Sequence, residues 1–93
     1  MAELSKKLPT EPQVISLDPT YIGDVLDDIR KVGIATDKSD LADNLADSLE
    51  TRINTVREIA LKSSDRPRVL QLEWTEPLLS GGHWVVEMVE LAG

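Results

Sequence analysis

Between Gly33 and Pro67 the chain contains neither glycine nor proline, and Leu41, Leu45, Leu49, Ile53, Val56 and Ala60 recur there at intervals of three and four residues. Apolar side chains at that spacing share one side of an α-helix, and with no breaker among them nothing interrupts it. Asp37 or Ser39 can cap its first free N–H groups, and Ser63-Ser64-Asp65-Arg66-Pro67 ends it, so one helix is expected from about Asp37 to Lys62. At 1.5 Å per residue it is about 35 Å long, more than one small layer needs to cover itself. Such a rod reads as a strut between two bodies.

The rest of the chain must pack with little bulk. Hydrophobic residues make up 41% of the 93, yet there is no Phe, one Tyr and two Trp, so Leu, Val, Ile and Ala carry the packing and the core is expected to be thin. Each tryptophan therefore calls for an explanation.

Before the rod, Gln13 to Leu17 is a short β-branched run closed by Asp18-Pro19 and reads as a buried strand. Ile22, Val25, Leu26, Ile29 and Val32 then set an amphipathic helix from about Thr20 to Val32, with Asp24, Asp27, Asp28, Arg30 and Lys31 opposite and Gly33 as its stop. After the rod, Val69 to Trp74 alternates so that Leu70, Leu72 and Trp74 share the face of a second strand. Thr75 to Gly82 reads as a loop, and Trp84, Val85, Met88, Leu91 and Ala92 form the stripe of a last helix. The expected class is a helix-dominated α/β arrangement, ordered β-α-long α-β-α, with too few strands for a full sheet. There is no internal repeat.

A formal charge of -7 argues against nucleic acid, whose phosphates are bound by clustered Lys and Arg. The acids are spread along the helical stretches and read as solvated faces. With no cysteine there are no disulfides or thiolate metal sites, and either redox compartment is allowed. Met1 to Thr10 has no apolar signal core, and no run approaches the roughly 18 apolar residues of a membrane span.

The stretch from Leu72 to Gly93 carries Glu73-Trp74, Glu76-Pro77, Gly82-His83-Trp84 and Glu90-Leu91-Ala92-Gly93. In order and spacing it resembles the start of the C-terminal lobe of cobalamin-binding proteins of the periplasmic-binding-protein superfamily. Pro12 to Pro19, followed by Ile22 to Ile29, is similar to the end of the N-terminal lobe and its exit helix. The resemblance covers about residues 12–93. It implies the substrate-binding component of an ABC importer, in which two lobes joined by one rigid helix hold a ligand between them. Residues 1–36 would end the N-terminal lobe, 37–63 would be the connector and 64–93 would begin the C-terminal lobe. The chain is then expected to be the central piece of such a protein, whose parent works at the periplasmic or extracellular face. The implied ligand is cobalamin, or a haem or iron chelate; the implied partner is an ABC permease, docked through carboxylates such as Glu73, Glu76, Glu87 and Glu90. No cofactor of its own and no enzyme activity is implied.

Trp74, Glu76, Pro77, Gly82, His83 and Trp84 are the expected ligand-binding residues, because flat aromatic faces beside close-approaching backbone suit a large planar ligand such as a corrin. Trp84 also lies on the stripe of the last helix, where packing alone would account for it. His83 and Glu87, four apart, form either an exposed pair or a contact to a ligand's metal. Gly81-Gly82 ahead of a helix is a weak anion site. Two rival functions use other features: a metal-assisted hydrolase on His83, Glu87 and Glu73, which lacks a nucleophile and a third ligand, and a small helical module that self-associates through its apolar stripes.

Overall fold

The computed structural model of the chain describes residues 11–93, so the first ten residues of the expected N-terminal segment 1–36 lie outside it. The elements are α1 (Ile22–Ala35), α2 (Ser39–Leu61), β1 (Leu72–Thr75), β2 (Leu78–Ser80) and α3 (Trp84–Leu91). The fold is helix-dominated, with one two-stranded antiparallel sheet, β1 beside β2. That agrees with the expected class and its shortage of strands. Residues 13–17 are not a strand: Gln13 to Leu17 is irregular, with Val14, Ile15 and Leu17 exposed. A β-branched run forms a strand only where another strand accepts its hydrogen bonds, and none lies beside it among the described residues.

α1 begins two residues later than expected, for an electrostatic reason. The Asp24 carboxylate accepts hydrogen bonds from the backbone N–H of Tyr21 at 2.9 Å and of Thr20 at 3.1 Å. Those two donors, Tyr21 first, hold its pKa below the ordinary carboxylate range. Glu87 of α3 accepts the N–H of Ile22 through Oε2 at 2.8 Å, placing a second negative charge at the positive end of α1.

Gly33 does not stop α1, which continues to Ala35. The stop is Asp37, at φ 56°. Lys38 N–H donates to Gly33 O at 2.7 Å and Asp37 N–H to Ile34 O at 3.2 Å, the paired bonds of a Schellman ending with aspartate in the left-handed position. Asp37 therefore ends one helix and does not cap the next; the residue before α2 is Lys38, which makes no side-chain cap.

Gly33 serves the packing of α1 on α2. A β-carbon there would overlap that of Ala42 and lie 3.2 Å from the Lys38 carbonyl oxygen, so only glycine lets the helices approach this closely. The buried apolar residues at the crossing are Leu26, Ala42 and Ala46. Arg30 ties the helices at the surface, 3.0 Å from Asp47 and 3.8 Å from Asp43, while also pairing with Asp27 at 3.3 Å. The hydrogen bond that Arg30 donates to Asp47, then the charges of Asp47, Asp27 and Asp43, raise the Arg30 pKa further.

α2 is continuous over 23 residues, as its pattern requires. Its expected inward line is only half right. Ala42 and Ala46 are buried, whereas Leu41 and Leu45 are 67% and 52% exposed. The apolar arc is wider than α1 and α3 cover, and the small alanines take the crowded side. No helix among the described residues is long and apolar enough to cross a membrane.

Candidate functional site

The expected site lies on the hairpin β1–β2 and the start of α3. Leu72 pairs with Ser80, Trp74 with Leu79 and Thr75 with Leu78, leaving Glu73 as an extra residue in a bulge. The bulge breaks the alternation expected for Leu70, Leu72 and Trp74, and bulges re-aim the side chains beside them. The segment expected as a loop, Thr75 to Gly82, thus contains β2, connected through a tight turn at Glu76-Pro77. Gly81 N–H donates to Gln71 O at 2.9 Å and extends the pairing by one rung. Both strands are exposed along their length.

Trp74 is 62% exposed. Its indole Nε1–H donates to the Glu76 carbonyl oxygen at 2.7 Å, so the polar edge is satisfied inside the turn while the ring stays open to a ligand. Glu76, Pro77 and Gly82 are exposed on the same connection, and beyond its two chain neighbours nothing lies within 4 Å of a β-carbon built on Gly82. At Gly82 a ligand could meet bare backbone.

His83 precedes α3 with φ 52° and ψ -134°, a backbone region that side-chain-bearing residues rarely occupy. Its imidazole lies stacked beside the Trp84 indole, with centroids 6.0 Å apart and planes at 30°. Trp84 is 36% exposed, so core packing does not consume it. The inward side of α3 is formed by Val85, Val89 and Leu91, and Met88 of the expected stripe is exposed.

The expected pairing of Glu87 with His83 does not form, because the Glu87 carboxylate is committed to the first turn of α1. Sixty-five residues separate those partners, and nothing local in the sequence signals such a contact. The unusual backbone at His83 was likewise illegible, since the preceding Gly81-Gly82 pair suggests that one of the glycines takes the strain. Among the described residues no three His, Asp or Glu side chains converge to hold a metal ion.

Two shallow grooves flank the elements. One, of about 340 Å³, runs between residues 69–71, Ser80 and Gly81 on one side and Val85, Val86 and Val89 on the other. The second, of about 360 Å³, lies where Leu17 and Pro19 cross Val25, Ile29 and Val32 of α1, with Asp28 in its lining. Neither contains Trp74, Pro77, His83 or Trp84. The candidate residues form an exposed aromatic edge that lines neither groove. Comparisons with family models, with curated protein sequences and with solved structures return no match to this chain.

Proposed function

We propose that the chain is part of a substrate-binding component of an ABC importer for cobalamin or a related metal chelate, in which ligand is captured between two lobes and no bond is made or broken. The observation that carries this reading is the aromatic edge: an open Trp74 ring with its polar end already satisfied, bare backbone at Gly82, and Trp84 beside a strained His83. Large planar ligands bind by stacking on such faces, and strained backbone is retained where function demands it. The unbroken α2 is suited to the role of inter-lobe connector. Glu73, Glu76 and Glu90 are exposed and free to steer docking onto a permease outside the cytoplasmic membrane, whereas Glu87 is occupied at α1.

A cleft buries a ligand by contacting it from both sides, and the candidate residues supply one exposed edge. Binding to this chain alone is therefore weak. Titration followed by corrin absorbance and tryptophan fluorescence tests this, with Trp74→Ala as control. Weak quenching that Trp74→Ala removes supports the reading. Submicromolar, saturable binding that Trp74→Ala abolishes would mean that the chain holds a complete site by itself, and a quench indifferent to Trp74 would mean that the edge is not the contact.

A further inference from the structure

We infer that α3 is held on the α1–α2 pair by one separable latch, the Glu87 carboxylate on the backbone N–H of Ile22, and that this latch opens while α1 and α2 stay folded together. Glu87 is then a positioning residue: it sets where α3, and with it His83 and Trp84, stands against the two long helices.

Burial does not fix that position. Every buried residue among those described lies on α1 or α2, and β1, β2 and α3 contain none. The sheet does not fix it either, because β1 and β2 pack on each other and on no helix. Residues 63–71, which lead from α2 to β1, are irregular and exposed throughout. α3 is therefore the one element that ties the chain after α2 back to the helix pair. It does so at two points. Glu87 Oε2 accepts the Ile22 N–H at 2.8 Å, and past the end of α3 a β-carbon built on Gly93 would lie 3.3 Å from that of Ala60. The second point is a meeting of two small residues with little apolar area to bury. Among the described residues, Glu87 to Ile22 is the one hydrogen bond that joins the hairpin or α3 to either long helix, and every ion pair lies within the helix pair.

The latch is separable because α1 has a cap of its own. The Thr20 and Tyr21 N–H groups donate to Asp24, within the same segment. When Glu87 leaves, the Ile22 N–H turns to water, and at the first helical position that group has no acceptor inside the helix in any case. Losing the distant acceptor thus leaves the local cap intact. An element with no buried residue, one polar tie and an irregular connection is the kind that opens locally, below the free energy of global unfolding. The aromatic edge takes no part in the latch, so corrin binding can fail while the latch stands, and the reverse.

The test is a spin-label distance in this cysteine-free chain, between Thr51→Cys on α2 and Met88→Cys on α3, both exposed positions. One narrow distance is expected in the parent and in Glu87→Gln, whose amide oxygen still accepts the Ile22 N–H. Glu87→Ala should lose that narrow peak to a broad distribution. Ile22→Pro removes the donor from the other side and serves if Glu87→Ala fails to fold. Proline suits a first helical position, and Tyr21 before it is already extended at φ -114° and ψ 164°, so α1 survives the change. A second label pair within the helix pair, Ile34→Cys with Thr51→Cys, should stay narrow in every variant. A narrow α2–α3 distance retained by both Glu87→Ala and Ile22→Pro overturns the proposal, as does a broad one in the parent. Broadening of the Ile34–Thr51 pair together with the α2–α3 pair also overturns it, since the helix pair would then have come apart with the latch.

Discussion

Replacing Gly33 with alanine sets two effects of opposite sign against each other. In an exposed helix interior the change stabilises by up to about 1 kcal/mol, because alanine loses less backbone entropy. At Gly33 the new methyl overlaps the Ala42 β-carbon and crowds the Lys38 carbonyl oxygen, neither of which can swing aside. Forcing one methyl into a closed contact costs about 1–3 kcal/mol. Leu26, Ala42 and Ala46 are the buried hydrophobic residues among those described, so separating the helices exposes much of the core. The net expectation is destabilisation by about 1–2 kcal/mol, read from urea melts by circular dichroism. Adding Ala42→Gly removes the opposing methyl and should recover part of the loss beyond additivity. A Gly33→Ala protein more stable than the parent would show that the helices do not meet closely there.

Asp37→Gly should stabilise by about 0.5–1 kcal/mol, because glycine occupies the left-handed Schellman position without the β-carbon penalty; a loss on thermal melting would contradict that helix ending. Glu87→Ala should cost about 1 kcal/mol through the exposed N-terminus of α1, and Glu87→Gln less, with the increased amide exchange concentrated at Ile22 and its neighbours. Asp24 has a folded pKa below its ordinary value of 3.8, held there by the Tyr21 and Thr20 N–H groups. Its contribution is therefore fully present above that value and is lost as pH falls through the lowered one. Helicity of α1 should decline on acidification in that range, and Asp24→Asn should flatten the dependence.

The three helices were legible because their periodicity spans many residues, and α2 was the clearest because no breaker falls within it. Which side of α2 is buried was not legible. Leucine outranks alanine by hydrophobicity, but the close crossing at Gly33 admits only Ala42 and Ala46, leaving Leu41 and Leu45 outside. The run Gln13 to Leu17 has strand composition but no neighbouring strand, and strand formation depends on that neighbour. In the hairpin, Leu78-Leu79-Ser80 is too short for alternation to register, so β2 was hidden inside an expected loop. The candidate residues were legible by type and order. The open ring of Trp74 depends on the turn at Glu76-Pro77, where the Glu76 carbonyl takes the indole N–H, and on the bulge at Glu73 beside it; composition encodes neither of these, nor the positive φ of His83.

The most direct test of the ligand-binding role is to map amide chemical shifts of the isotope-labelled chain during titration with cobalamin. A two-sided nanomolar site reduced to half its binding free energy falls to about 30 µM, so fast or intermediate exchange at tens of micromolar or weaker is expected. The perturbed amides should cluster at Trp74, Glu76, Gly82, His83 and Trp84, with the indole N–H of Trp74 among the largest shifts and α1 unmoved. Shifts confined to the groove between Leu17, Pro19 and α1, or none at millimolar cobalamin, would contradict the assignment of this edge as a corrin-binding wall.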